Sequence, residues 1–143
     1  MYSPLYFKEC VLEKGEFPYS DNYFDLILHF GVMEHIEPPT CHFWNEQYRI
    51  LKKDGLIIID NPNPYNLRKR IFSLIGLNPN NEIENWLNQP MFTGHFREHT
   101  LNELIYSAKK TGFQVTNSGG FQYILEGYFG NASIIKKIFL KLY

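Results

Sequence analysis

The sequence is poor in several features that would identify a function directly. It has only two cysteines, Cys10 and Cys41, which form no CxxC pair and no disulfide framework and are typical of reduced thiols. Its net charge of −1 gives no electrostatic argument for nucleic-acid binding, so no nucleic-acid partner is expected. The apolar runs are far shorter than a membrane span and no signal peptide is visible, so we expect a cytoplasmic protein.

Glycine is present but is not arranged for a cofactor loop. None of the ten glycines is spaced G-x-G. What remains is ordinary for one globular domain, which we expect to cover residues 1–143: 44% of the residues are hydrophobic and 20% are charged. Aromatic residues are abundant at 17%, which fits either a well-filled core or an aromatic-lined pocket.

The centre of the chain predicts a β-α-β unit. Residues 24–30 form a nearly continuous apolar run, typical of a strand that is covered on both faces. Thr40 is a candidate N-cap for a helix over residues 41–53, which Gly55 would end. Residues 56–60 predict a second buried strand. Strand, helix and strand at this spacing favour an α/β fold with a Rossmann-like parallel sheet.

The flanking segments predict further elements. Thr100 and Glu103 form a capping box for a helix that Gly112 would end. The other expected elements are a short strand within 6–12, a helical insertion or lid over 61–99, strands at 113–116 and 121–128, and an apolar-striped helix over 134–142. That last helix would either cover the sheet or lie on a membrane surface.

Four segments in this order resemble the class I S-adenosylmethionine (SAM) dependent methyltransferases. They read FPYSDNYFD (17–25), LHFGVMEHI (28–36), EQYRILKKDGLIIIDNPN (46–63) and GHFREHTLNELIYSAKKTGFQV (94–115). The second is similar to a strand that closes on a Leu-Glu-His motif, with Met33, Glu34 and His35 at the matching positions. The resemblance implies methyl transfer from SAM to a small-molecule acceptor, of a sugar, lipid-linked or quinone type.

The resemblance also implies site residues near the carboxyl ends of the strands, where open parallel sheets bind ligands. The implied cofactor-binding residues are Glu13, Lys14, Phe17, His29, Phe30, Gly31 and His35. The implied substrate-binding residues are Asn61, Asn63, Tyr65, His95 and Arg97. No catalytic base is implied, because alignment of a competent acceptor with the sulfonium carries most of the barrier reduction.

Several of these residues have a structural alternative. Glu34 and His35 could be an acid/base pair, or His35 could anchor its loop by a hydrogen bond. His95 and His99 are spaced i, i+4, but without a third ligand at a suggestive spacing we predict no metal. The asparagines after residue 60 could make Asx turns, and Arg97 could meet an anionic group or remain solvated.

The family's first strand with its glycine-rich turn, and its second strand, have no counterpart in the sequence. We therefore expect SAM to bind weakly or not at all to these 143 residues alone. The alternative function is a non-catalytic, methyltransferase-like remnant that acts as a binding module. The strand over 24–30 would also have an open edge, which predicts either a homo-oligomer or an N-terminal strand lying beside it.

Overall fold

The computed structural model describes residues 5–79, residue 87 and residues 94–120. Its elements are β1 (Phe24–Phe30), a 3-10 turn (Met33–His35), α1 (Cys41–Ile50), β2 (Leu51–Asp60), α2 (Leu67–Leu74) and α3 (Leu101–Lys110). No helix within these ranges is long and apolar enough to cross a membrane.

β1 and β2 form a two-stranded parallel sheet, with α1 between them along the chain. Leu26 pairs with Leu56 and Phe30 with Asp60, so both strands end at the same edge of the sheet. The prediction of an α/β fold with a parallel sheet is confirmed. Parallel pairing needs a crossover connection, and α1 provides it.

The predicted boundary between α1 and β2 was wrong. The helix ends at Ile50 and the strand begins at Leu51, so Gly55 lies inside β2 and is not a helix cap. Phe24 pairs with Leu51 and Leu26 pairs with Leu56, so an advance of two residues along β1 corresponds to five residues along β2. This bulge needs Asp54 at φ 64°. A Cβ on Gly55 would lie 2.9 Å from both the Leu51 side chain and the Lys52 carbonyl, so only glycine fits there.

Two short strands expected from the sequence are not formed. Residues 6–12 make no strand, and the aromatic rings expected in it, Tyr6 and Phe7, are 86% and 91% exposed. Residues 113–116 make none either, and Phe113 instead packs against the edge of the core, with its ring centroid 5.9 Å from that of Trp44 and 5.2 Å from that of Tyr48. The elements expected over 121–128 and 134–142 lie outside the described residues.

The core lies on one side of the sheet. We call its buried residues the core cluster: Phe17, Met33, Ile36, Phe43, Trp44 and Ile50. Ile27 and Ile59, on the face of the sheet that meets α1, pack against it. Of the core cluster, Met33 is 1% exposed and Trp44 is 2% exposed. The interior of the protein therefore forms where α1 meets the sheet.

The opposite face of the sheet is uncovered within the described ranges. We call it the open face, and it consists of Leu26, Leu28, Phe30, Leu56 and Ile58. Its side chains are between 42% and 60% exposed. A contiguous apolar surface of this kind is unusual on a soluble monomer. Among the residues described, β1 pairs with β2 alone, so the predicted N-terminal strand beside β1 is not formed.

The helix α3 begins where its capping box predicts. Thr100 accepts a hydrogen bond from the Glu103 amide, and the Glu103 carboxylate accepts one from the Thr100 amide, which confirms the capping box. Gly112 follows α3 at φ 100°, and a Cβ there would come within 3.1 Å of the Tyr48 ring. Asn66 caps α2, which lies in the predicted insertion and buries none of its residues. A lid role for that insertion stays a prediction.

Candidate cofactor and substrate site

The candidate site begins where β1 ends. Gly31 has φ 62°, a left-handed conformation that favours glycine, and its amide donates to the Asp60 carbonyl at 3.3 Å. The chain then turns directly into the 3-10 helix that carries Glu34 and His35. Both strand ends and this turn therefore share one edge of the sheet, the edge where parallel sheets bind ligands.

A cavity of about 470 Å³ lies beside this turn. It is lined by Cys10, Val11, Leu12, Glu13, Gly31, Val32, His35 and Ile36. Glu13, Gly31 and His35 were three of the predicted cofactor-binding residues. Their convergence brings a segment before β1 together with the segment after it.

The other four predicted cofactor-binding residues do not meet in this cavity. Phe17 is 7% exposed and packs in the core cluster, and His29 is 8% exposed on the core side of β1. Phe30 points to the open face, since successive side chains of a strand alternate. Lys14 is exposed. Two side chains that the family resemblance placed beside the cofactor, Phe17 and His29, are thus buried in the core.

His29 is held neutral by its position. Burial lowers its pKa to about 4, and the neighbouring Gln47 side chain offsets only part of this effect. Neither ring nitrogen has a hydrogen-bond partner within the described residues, and its ring packs edge-on against Phe43 at 5.6 Å. The imidazole is therefore a neutral ring packed in the core.

The loop before β1 is fixed by an ion pair that sequence reasoning missed. Arg49 donates to both carboxylate oxygens of Glu46, at 2.8 and 2.7 Å. Arg49 also donates to the carbonyls of Tyr19 and Phe17, at 2.9 and 3.1 Å, and to Asp21 at 2.9 Å. Bidentate pairing of this kind fixes geometry as well as adding energy. The one available signal was a carboxylate and a guanidinium three residues apart on a predicted helix.

Glu46 is the buried centre of this arrangement. It is 7% exposed, and its Oε2 accepts a hydrogen bond from the Phe17 amide at 2.6 Å. The hydrogen bond from Arg49 is the main cause that lowers the Glu46 pKa to about 2. A helix side chain therefore holds the loop that leads into the cavity.

The 3-10 turn after β1 is joined to the distant segment 94–99. The amides of Phe96 and Arg97 approach the Glu34 carbonyl at 2.7 and 3.4 Å. His35 Nδ1 lies 3.2 Å from the Gly94 carbonyl, and the His35 ring meets the His95 ring edge-on at 4.9 Å. His35 thus anchors a loop by a hydrogen bond, which was the alternative to an acid/base role with Glu34.

His95 continues this network towards α2. Its Nδ1 lies 2.9 Å from Glu98 Oε1, and Lys69 pairs with the other Glu98 oxygen. Burial alone would raise the Glu98 pKa, but the hydrogen bonds from Lys69 and His95 outweigh it, so the pKa is lowered. The Glu98 carboxylate is therefore ionised and can only accept hydrogen bonds.

The predicted substrate-binding residues form two neighbouring groups. Asn61 donates to the His99 carbonyl at 3.2 Å, which ties the end of β2 to the segment that carries His95 and Arg97. The Asn63 side chain accepts from the Tyr65 amide at 2.9 Å, the Asx turn expected as its alternative. Tyr65 is 60% exposed.

The two remaining charged or titratable side chains of this segment have different surroundings. Arg97 pairs with Glu103 at the surface, so it is held by the capping box of α3. Burial, followed by the nearby charge of Arg97, lowers the His99 pKa. His99 does not join His95 as a ligand pair. The ligand-type side chains that do lie together are Glu34, His35 and His95.

Comparison with known proteins supports the family resemblance. Residues 4–59 match the family model described as a methyltransferase domain. A solved structure from Bacillus halodurans C-125, a provisionally assigned methyltransferase, superposes with a TM-score of 0.51 at 22% identity, over 76% of this chain. The chain spans 42% of that structure's length. A search of curated proteins found no match.

Proposed function

We propose, because residues 4–59 of this chain match the model of the methyltransferase domain family, that the chain supplies one wall of a SAM-dependent methyltransferase site. One observation carries this proposal: Glu13, Gly31 and His35 converge on one cavity at the carboxyl edge of the sheet. The family resemblance implied that all three lie at the cofactor.

The cavity is an open depression that is large enough for a small molecule. Its volume of about 470 Å³ falls in the range of about 300–1,000 Å³ that ligand pockets occupy. Its walls are mostly apolar, and Glu13 and His35 supply the polar groups. Bound SAM would supply the methyl group on its sulfonium. The chain's part is to hold it, with the Glu13 carboxylate facing the adenine side and the backbone of Gly31 beneath it.

The donor groups for the opposite end of SAM are not in this sequence. No two glycines are spaced G-x-G, so no glycine-rich turn presents consecutive amides to a carboxylate. In our proposal those groups come from residues outside these 143, on the same polypeptide or another one. These residues then form the C-terminal part of the catalytic domain.

The acceptor would lie beside the turn after β2. Asn61 Oδ1 is buried and has no hydrogen-bond partner within the described residues, so it is able to accept from an acceptor hydroxyl. Tyr65, four residues later, is exposed, and the hydrogen bond from Asn61 to the His99 carbonyl ties this turn to the segment with His95 and Arg97. This polar rim suits a small sugar, lipid-linked or quinone-type acceptor. Alignment with the sulfonium would then supply the main rate enhancement.

Amide chemical shifts during titration of the ¹⁵N-labelled chain with SAM test this proposal. We expect fast-exchange shifts at millimolar SAM, concentrated at residues 10–13 and 31–36. Glu13→Gln should reduce them. The matched control is Glu16→Gln, which alters an exposed carboxylate in the same loop and should not reduce them. Shifts that cluster elsewhere, or equal loss in both variants, would contradict the proposal.

The open face favours a second candidate function, a non-catalytic binding module. Five exposed apolar side chains on one sheet face would pair with a partner or with a second copy of the chain. This candidate predicts self-association without any response to SAM. The titration therefore separates the two candidates.

A further inference from the structure

We propose that Glu34, His35 and His95 bind one divalent transition-metal cation of the zinc type. One ligand-type atom from each of the three residues lies within 4.8 Å of the others. His95 stands 60 positions from His35 along the chain, so sequence spacing gave no sign of this set. The inference concerns cation binding and does not depend on the proposed methyl transfer.

The hydrogen bonds of the two histidines engage Nδ1 and leave Nε2 of each ring available to a cation. His35 Nδ1 faces the Gly94 carbonyl at 3.2 Å, and His95 Nδ1 faces the Glu98 carboxylate at 2.9 Å. A carbonyl and a carboxylate oxygen both accept hydrogen bonds, so Nδ1 is the donor of each ring and Nε2 keeps its lone pair. A carbonyl or carboxylate on the second nitrogen is the usual outer partner of a metal-binding histidine.

Glu34 provides the independent observation that points to a ligand. Its side chain is almost fully buried, with 2% of the residue exposed, and Oε2 has no hydrogen-bond partner in the part of the chain that the structure describes. A buried carboxylate oxygen without a partner is costly. A cation at the centre of the three ligands would compensate that charge.

The ligand set matches zinc chemistry. Two histidines and one glutamate with an open fourth position form one of the recurring catalytic zinc sites. Ligands at about 2.0–2.2 Å in a tetrahedral site lie roughly 3.3–3.5 Å apart, so closure requires movements on the order of 1 Å. His35 is exposed and also lines the cavity. The open coordination position would therefore face solvent beside the cavity.

Titration of the chelator-treated chain with ZnCl₂, followed by calorimetry, tests the site, and Co²⁺ absorption reports its geometry. We expect one equivalent bound and tetrahedral Co²⁺ bands. His35→Ala, which removes a direct ligand, should weaken binding at least about 100-fold, and Glu98→Gln, which removes only the charge of an outer partner, by less, about 10–100-fold. His42→Ala is the matched control, because His42 contacts the Gly15 carbonyl away from the cluster.

Thermal unfolding separates the loss of a ligand from the loss of the fold. Zinc should raise the Tm of the wild type and of His42→Ala, but not that of His35→Ala, whose exposed side chain is not needed by the core. Absence of stoichiometric binding by the wild type would overturn the proposal. Equal Tm increases in all three proteins, or binding of Mg²⁺ in preference to Zn²⁺, would overturn it as well.

Discussion

The two faces of the β1–β2 sheet come from the same two strands and have opposite environments. On one face Ile27 and Ile59 pack against the core cluster, where Trp44 is 2% exposed. On the other, Leu28 and Ile58 are 51% and 42% exposed. Both strands are apolar on both faces, a composition typical of a strand that is covered twice.

The helix α1 and the loops beside it cover one face of the sheet, and the other face stays exposed among the described residues. The covered face has a core and a partly buried ion pair, and the loop fixed by that pair leads to the cavity. The open face has apolar side chains and no cover among the described residues. The sequence therefore encodes a two-sided sheet, whereas the described residues complete one side.

The largest expected effect on the free energy of unfolding comes from comparing the truncation of one side chain on each face of the sheet. Ile50→Ala, in the core cluster, should lower the free energy of unfolding by about 2–4 kcal/mol, because it leaves a cavity. Leu28→Ala should cost less than about 1 kcal/mol, because half of its side chain already contacts solvent. Urea unfolding of both variants measures the difference.

An equal cost for the two variants would contradict the one-sided description. A second copy of the chain on the open face would produce that result. Sedimentation velocity of the wild type and of Leu28→Glu then shows whether a homo-oligomer covers the face, since a buried charge would dissociate it.

The next effect concerns the ion pair that organises the covered side. Glu46→Gln should cost about 2–3 kcal/mol at pH 7, less than a fully buried pair because Arg49 is partly exposed. The Glu46 pKa falls from 4.5 to about 2 in the folded chain. Its contribution is therefore complete above pH 4.5 and is lost as the pH falls through 2.

Urea unfolding of the wild type and Glu46→Gln at pH 6 and pH 3 measures this dependence. The gap between the two proteins should narrow at the lower pH. Asp21→Asn is the matched control, since Asp21 is an exposed partner of the same Arg49. A gap that stays constant with pH would show that the carboxylate charge of Glu46 does not stabilise the loop.

The regular part of the fold could be predicted from the sequence, and the irregular part could not. The apolar run of β1 and the Thr100 capping box are local signals, and both elements begin where those signals predict. The early start of β2 depends on a bulge at Asp54 and Gly55, which only its pairing with β1 reveals. Phe113, predicted to lie in a strand, instead packs against Trp44 and Tyr48, and these contacts join segments that are distant in the sequence.

The sequence could place some of the residues that line the cavity, namely those that follow a strand end, and their cofactor-binding role stays a prediction. Gly31 and His35 follow β1, and both line the cavity. The burial of Phe17 and His29 could not be predicted, since the sequence does not show which positions form the core. The contacts between Glu34, His35 and His95 join distant segments, so no local pattern contains them.

Calorimetric titration of the 143-residue chain with SAM tests most directly the claim that this chain provides one wall of a cofactor site. The sequence has no G-x-G turn to hold the far end of SAM, so we predict a dissociation constant weaker than micromolar. The residual heat should fall further in Glu13→Gln. A micromolar dissociation constant for the wild type would show that these residues form a complete site, and would contradict the account.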